Sequence, residues 1–180
     1  NFTSLIVNKL IIIGAIAIFL EPEMAKFIFT FLFIISIFSV SFTDEALKIT
    51  NKKYTDYQEA LKAAKESKKS ILMVFSGSDW CANCIKLKKN VLDTESFELY
   101  ASQNLILLIL DFPSGKKNSL SKDQVKKNEA LAEKYNPEGS FPRVIILSPE
   151  EISLGEIKSY KNETPEKYIE MIKKIVAEKK

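Results

Sequence analysis

Apolar positions along the chain fall into blocks of two kinds. Near the N-terminus they form long unbroken runs, "LIVNKLIIIGAIAIFL" (5–20) and "FIFTFLFIISIFSVSF" (27–42), separated by "EPEMAK". From Thr43 onward the blocks are short and alternate with lysine-rich polar segments, the pattern of a folded domain with a wet surface. In "YTDYQEALKAAKESKK" (54–69), Tyr54, Tyr57, Leu61 and Ala64 fall on one helical face. "SILMVFS" (70–76) is a continuous apolar run too short for a helix, so it predicts a strand buried on both faces. Gly77 and Ser78 break that run. From about Trp80 helical spacing returns, with Cys84, Leu87 and Val91 inward and Lys86, Lys88, Lys89 and Asn90 on the wet side. "NLILLILDF" (104–112) predicts a second buried strand, ended by Pro113-Ser114-Gly115. A lysine-rich loop follows, then the helical pattern "DQVKKNEALAEKYN" (123–136), stopped by Pro137 and Gly139. "RVIILS" (143–148) and "ISLGEIKSY" (152–160) read as two further strands joined by the turn "SPEE". Thr164 as N-cap and Pro165 at the first position open a last helix, striped by Tyr168, Ile172 and Ile175. This order predicts an α/β sandwich around a mixed sheet of about four strands.

Composition narrows the chemistry. The apolar share of 46% supplies a core and the charged share of 27% a soluble surface. Net charge is only +3 and rests on lysine, with Arg143 the single arginine, which argues against nucleic acid as a partner. The chain has no histidine. Ser-His and Cys-His catalysis are therefore excluded, as is an imidazole metal site.

The N-terminal end differs in kind. Neither apolar block comfortably reaches the ~20 residues that span a bilayer. Read from Met24, however, the chain has the three parts of an export signal: Lys26 as basic region, an apolar stretch over 27–40, and the small-x-small site Ser39-Val40-Ser41. Residues 1–23 are then expected to be an upstream extension, 24–42 a signal peptide, and 43–180 the working domain. The alternative is an uncleaved anchor attaching the chain to a membrane through residues 27–42, or a hairpin of two short spans. Either reading places the domain outside the cytoplasm, in the periplasm or its equivalent.

Only two cysteines occur, Cys81 and Cys84, inside "SGSDWCANCIKLKKN" (76–90). A strand passing at once into a helix sets Cys81 near the helix N-terminus, where unpaired N–H groups and the dipole stabilise a thiolate. Cys84, one turn on, faces inward beside Leu87. Dithiol exchange needs that asymmetry: an exposed nucleophile, Cys81, and a shielded resolving thiol, Cys84. Three other readings compete. Half of a zinc site lacks two ligands unless a dimer supplies them. Haem attachment requires His after the pair, where Ile85 stands. A structural disulfide across one helical turn closes too small a loop to stabilise much.

The segments "VFSGSDWCANCIKLKKNVL" and "GSFPRVIIL" resemble the thioredoxin superfamily, and most nearly its exported bacterial reductases of the DsbH type and the DsbD C-terminal-domain type. The resemblance runs from about Tyr54 to the end. It implies a thioredoxin fold, no cofactor beyond the redox-active Cys81–Cys84 pair, protein thiols and disulfides as substrates, and a membrane thiol-relay protein as electron donor. It implies also that Pro142 is cis and faces the dithiol, with the backbone of Phe141 pairing with substrate chains. Topology makes this arrangement reasonable. If strands 71–76 and 104–111 are parallel and 143–148 antiparallel, the cysteines, Pro142 and the loop "PSGKKNSLSKDQ" share one sheet edge. The lysines of that loop either select acidic partners or are simply solvated. Trp80 is expected to flank the site as an apolar contact surface.

Several positions depart from the family pattern. Phe75 stands where many thioredoxins bury an aspartate thought to move protons for the resolving thiol. Asp79 is expected to point to solvent beside Trp80, a weak substitute for that role. Arg143 follows the proline where threonine is common, and either brings positive charge near the thiolate or is a surface residue at a strand start. Ala82 and Asn83, between the cysteines, carry neither charge nor ring, so Cys81 should be only moderately acidic. The expected direction is reduction or isomerisation of protein disulfides. The other class of function is a non-enzymatic binding module that uses the Trp80, Phe141 and Pro142 surface to hold polypeptides.

Overall fold

The structure is a computed structural model that describes residues 51–178. The upstream extension (1–23) and the signal or anchor (24–42) lie outside the described residues. Among the described residues no helix is long and apolar enough to cross a membrane.

Five strands form one sheet in the order β1-β3-β2-β4-β5. They are β1 (Lys53–Tyr54), β2 (Ser70–Ser76), β3 (Leu105–Asp111), β4 (Arg143–Leu147) and β5 (Ser153–Ile157). The apolar run in β2 lies at the centre, with Ile71 to Phe75 all buried. β3 runs parallel to β2, pairing Ser70 with Leu105 through Ser76 with Asp111. β4 runs antiparallel, pairing Phe75 with Arg143 and Ile71 with Leu147. Successive side chains of a strand point to opposite faces, and two cores result. On one face Leu72, Val74, Leu107, Val144 and Ile146 meet helices α2 (Ala82–Leu87), α3 (Glu95–Asn104) and α5 (Pro165–Ala177). On the other Ile71, Met73, Phe75, Leu108 and Ile145 meet α1 (Tyr57–Ser67) and α4 (Lys122–Tyr135).

Local chemistry fixes the helix ends. The Asp56 carboxylate accepts from the N–H groups of Gln58 and Glu59 to begin α1. Ser121 Oγ caps α4 and Thr164 Oγ1 caps α5, which has Pro165 in its first turn as expected. After α2 the chain makes one wide π turn, Lys88–Leu92, keeping Val91 and Leu92 buried.

Three expectations are corrected. The sheet has five strands rather than about four, because the two-residue β1 was read as helix. Tyr54 belongs to β1 and pairs with Leu108, since the cap at Asp56 prevents α1 from reaching back to it. Its ring nonetheless packs against the same cluster as Tyr57, which is why the helical spacing looked consistent. The single helix expected after Trp80 is two. Asp93 and Thr94 interrupt it, and α3, unforeseen, buries Phe97 and Ala101.

Candidate active site

The CxxC turn is built from the end of β2 outward. Cys81 is the N-cap of α2, in extended conformation (φ −85°, ψ 98°), and its N–H donates to Gly77 O at 3.0 Å. Its carbonyl accepts the first helical bond, from Ile85 N at 3.1 Å. Cys81 and Cys84 are joined as a disulfide with Cα atoms 5.2 Å apart. The Cys84 N–H donates to Cys81 Sγ at 3.2 Å, so an orphan amide of the first turn already points at that sulfur. In the reduced protein the same amide and the helix dipole favour the thiolate form. The expected contrast in exposure is much reduced, since Cys81 is 7% and Cys84 3% exposed.

The opposite wall comes from the start of β4. Its antiparallel pairing with β2 delivers Pro142 to the edge where α2 begins, and the Phe141–Pro142 peptide bond is cis. Pro142 and Cys84 border a common cavity of about 40 Å³, floored by Val74 and Ile109. At its far end Lys53 donates to Asp93 at 2.6 Å and to Glu98 at 3.3 Å.

A third wall comes from the loop expected at this edge, though its attachment was not anticipated. The segment after β3 is tied to the CxxC turn by a row of hydrogen bonds. Ser78 N and Oγ donate to the Asp111 carboxylate at 2.9 and 2.6 Å. Trp80 Nε1 donates to Phe112 O at 2.7 Å. The Asp79 carboxylate accepts from Ser114 N at 2.9 Å and Gly115 N at 2.7 Å. Two glycines permit this closeness: a Cβ on Gly77 would lie 2.3 Å from Trp80 Cε2, and one on Gly115 2.8 Å from Asp79 Oδ2. Rings then connect core to surface. Phe75 stacks near Phe112 (6.3 Å between centroids), Phe112 meets Phe141 edge-on (5.4 Å), and Phe141 meets Trp80 (5.2 Å). Trp80 stays 49% exposed. Phe112, Asp111 and Ser78 were missed by sequence reasoning. The available signal was position, an aromatic directly past a buried strand at the edge that also carries the cysteines.

Cys81, Cys84, Trp80, Phe141 and Pro142 are thus brought together, and the remaining candidates are placed differently. Asp79 is exposed as expected, but its carboxylate is an anchor for the 113–115 turn. The backbone N–H of Ser114, then that of Gly115, holds its pKa below the ordinary value. Arg143 lies on the sheet face away from α2, in register with Phe75. Of the two alternatives raised for it, the surface residue is excluded. It is buried, 8% exposed, and its guanidinium is taken by Glu138 (3.1 Å) and Glu156 (2.5 Å). Ala82 and Asn83 are exposed on the first turn of α2. Phe75 is fully buried among apolar side chains. Among the described residues no three cysteine or carboxylate side chains are grouped to hold a metal.

A helix-capping CxxC disulfide facing a cis-proline on a five-stranded mixed sheet defines a thioredoxin-fold dithiol domain. The thioredoxin-like family model matches residues 51–149, more than half of the chain, and the chain belongs to that family. It is 35% identical over 100 residues to the disulfide bond reductase DsbH of Chlamydia pneumoniae, covering 56% of this chain and 58% of that protein. It is 33% identical over 111 residues to the thioredoxin-related protein DsbJ of the same organism, covering 62% of this chain and 31% of that protein. The chain therefore spans less than two thirds of the length of either relative. A solved structure of a DsbH oxidoreductase superposes with a TM-score of 0.65 at 28% identity, covering 71% of this chain and 86% of the other.

Proposed function

We propose that this domain is a thiol-disulfide oxidoreductase that reduces or isomerises protein disulfides. The observation that carries the reading is the Cys81–Cys84 disulfide at the start of α2, with the Cys84 amide aimed at Cys81 Sγ. In the reduced protein Cys81, as thiolate, attacks one sulfur of a substrate disulfide. A Cys81–substrate bond forms and the other substrate sulfur leaves as thiolate, taking a proton from solvent. Cys84 loses its proton and attacks Cys81 Sγ, closing the intramolecular disulfide and releasing the second substrate thiol. Two electrons pass from the cysteine pair to the substrate, and the balance is complete.

The reducing direction is favoured by what surrounds the sulfurs. Ala82 and Asn83 are exposed and uncharged, and Arg143 is neutralised on the other face. Little beyond the helix start stabilises the thiolate, so the reduced form gains no strong advantage. The potential should lie nearer the reducing end of the family, about −270 mV, than the oxidising end, about −120 mV. The name of the relative, disulfide bond reductase, agrees with this direction. We assign Trp80, Phe141 and Pro142 to substrate contact. We place the domain outside the cytoplasm, on the signal-like pattern over 24–42, and its electrons then come from a membrane thiol-relay protein.

Insulin reduction is the test. The wild-type protein with dithiothreitol should accelerate precipitation of the insulin B chain, and Cys81→Ser should fall to the uncatalysed rate. Equal inactivity of both would leave a polypeptide-binding module as the function.

A further inference from the structure

Beside the dithiol, the same sheet edge carries an open groove of about 350 Å³. Phe112, Pro113, Leu120 and Val125 give it an apolar lining, and Lys116, Asp111 and Glu129 border it as well. The groove continues the redox face, because Phe112 belongs to both. Its ring packs against Phe141 and its carbonyl holds Trp80. The walls are fixed. Asp79 grips the turn at Ser114 and Gly115, and Asn128, 2% exposed, donates to Asp111 O at 2.8 Å from beneath. Val125 is apolar and yet 38% exposed at this place, and Lys116 and Lys117 are exposed next to it.

We infer that this groove is a second subsite for the polypeptide partner of the dithiol. It takes an apolar side chain a few residues from the substrate cysteine, with an acidic residue of the partner set against Lys116 and Lys117. The inference rests on the oxidoreductase reading and names the substrate class of that site. A polypeptide bound at Trp80 and Phe141 reaches Phe112 by continuing along the same surface, whereas a small disulfide meets Cys81 without touching the groove. The apolar walls set the first preference and the two ammonium groups the second.

The experiment compares kcat/KM of the full-length protein on three substrates. The first is a peptide disulfide with Phe and Asp near the cysteine, the second the same peptide with Ser and Lys, the third hydroxyethyl disulfide. The wild type should prefer the Phe/Asp peptide about tenfold, the scale of burying one side chain. Val125→Glu should abolish that preference, with hydroxyethyl disulfide as the internal control. The double variant Lys116→Glu with Lys117→Glu, at exposed positions that tolerate change, should lower the Phe/Asp peptide and raise the Ser/Lys peptide. Equal rates of the wild type on both peptides, with hydroxyethyl disulfide reduced, would overturn the subsite alone. So would a preference that survives both variants. Failure of the wild type to reduce any of the three would overturn the oxidoreductase reading and the subsite with it.

Discussion

The two poles of the sheet invert the usual relation between volume and chemistry. At the pole where β2 and β3 begin, a groove of about 470 Å³ opens between Lys69, Tyr100, Asn104, Ser148 and Ile152. It contains no thiol, and of its two lysines Lys69 is occupied, its Nζ donating to Ser102 O at 2.6 Å. At the pole where those strands end, the space behind Cys84 is about 40 Å³ and the groove beside it about 350 Å³, both smaller, yet both sulfurs, the cis-proline and an exposed tryptophan converge there. A small-molecule enzyme encloses its ligand, and cavity size then points to the site. Thiol-disulfide exchange with another protein needs the reverse: a reachable sulfur on a firm surface, with the partner's chain supplying the other half. The dense bonding of residues 78–80 to 111–115 gives the firmness that the exchange proposed here would require.

The largest contrast between the poles is chemical. Cys84→Ser should reduce insulin turnover to background while mixed disulfides accumulate on Cys81, detectable by mass spectrometry. Tyr100→Ala, in the larger groove, should leave turnover unchanged. Full turnover by the Cys84→Ser protein would remove the resolving role from that residue.

Next comes the rigidity of the redox pole. A methyl group on Gly77 would meet the indole of Trp80 at 2.3 Å. Gly77→Ala should therefore displace the ring, break its bond to Phe112 O, and cost about 1–3 kcal/mol as overpacking does. Trp80 is the only tryptophan in the chain, so fluorescence reports on it directly. A red-shifted emission, a lowered Tm and slower reduction of insulin are expected together. An unchanged spectrum with unchanged turnover would mean that the indole position is not what organises the surface.

Most of this pole is legible in the sequence. Apolar runs identified β2, β3 and β4, because strands covered on both sides tolerate few polar residues. The strand-to-helix transition located Cys81 at a helix start, and the family pattern pointed to Pro142. What escaped notice was what depends on pairing across the sheet. β1 is two residues long and has no period of its own. Arg143 reads as a candidate electrostatic partner with no sign of its ion pairs to Glu138, five residues before it, and Glu156, across the β4–β5 hairpin. The bonds from Asp79 to Ser114 and Gly115 join positions that share no local pattern, so no reading of spacing could find them.

Those bonds give a smaller and pH-dependent effect. The Asp79 carboxyl is held below its ordinary pKa by the Ser114 and Gly115 N–H groups. A depressed folded-state value means that the anchoring is complete above the unfolded value, about 4, and is lost as pH falls through the folded one. In Asp79→Asn one acceptor remains but the charge is gone. Amide exchange over 113–117 should be faster than in the wild type at neutral pH, and the two proteins should converge in acid. Identical exchange at pH 7 would show that the turn holds itself.

The smallest expected effect lies at the inner end of the redox pole. Burial alone would raise the pKa of Asp93, but hydrogen bonds from Lys53 and Lys88 outweigh it and leave the carboxyl below its ordinary value. For Lys53, burial would lower the value, and Asp93 with Glu98 more than reverses this. Lys53 and Asp93 keep about a third of their side-chain surface in water, 32% and 34%, so screening limits the pair to about 0.5–1 kcal/mol. The carboxylate contribution is present above the unfolded pKa, about 4, and fades as pH falls through the lower folded value. Urea midpoints should therefore separate Asp93→Asn from the wild type at pH 7, and the gap should narrow as pH falls below the unfolded value. Because Asp93 and Lys53 border the same cavity as Cys84, insulin turnover by this variant decides what the pair is for. Unchanged turnover would make it a structural clasp between β1 and the π turn. A loss of turnover exceeding the loss of stability would extend the redox machinery through the cavity to a carboxylate, in a chain whose usual position for one is filled by Phe75.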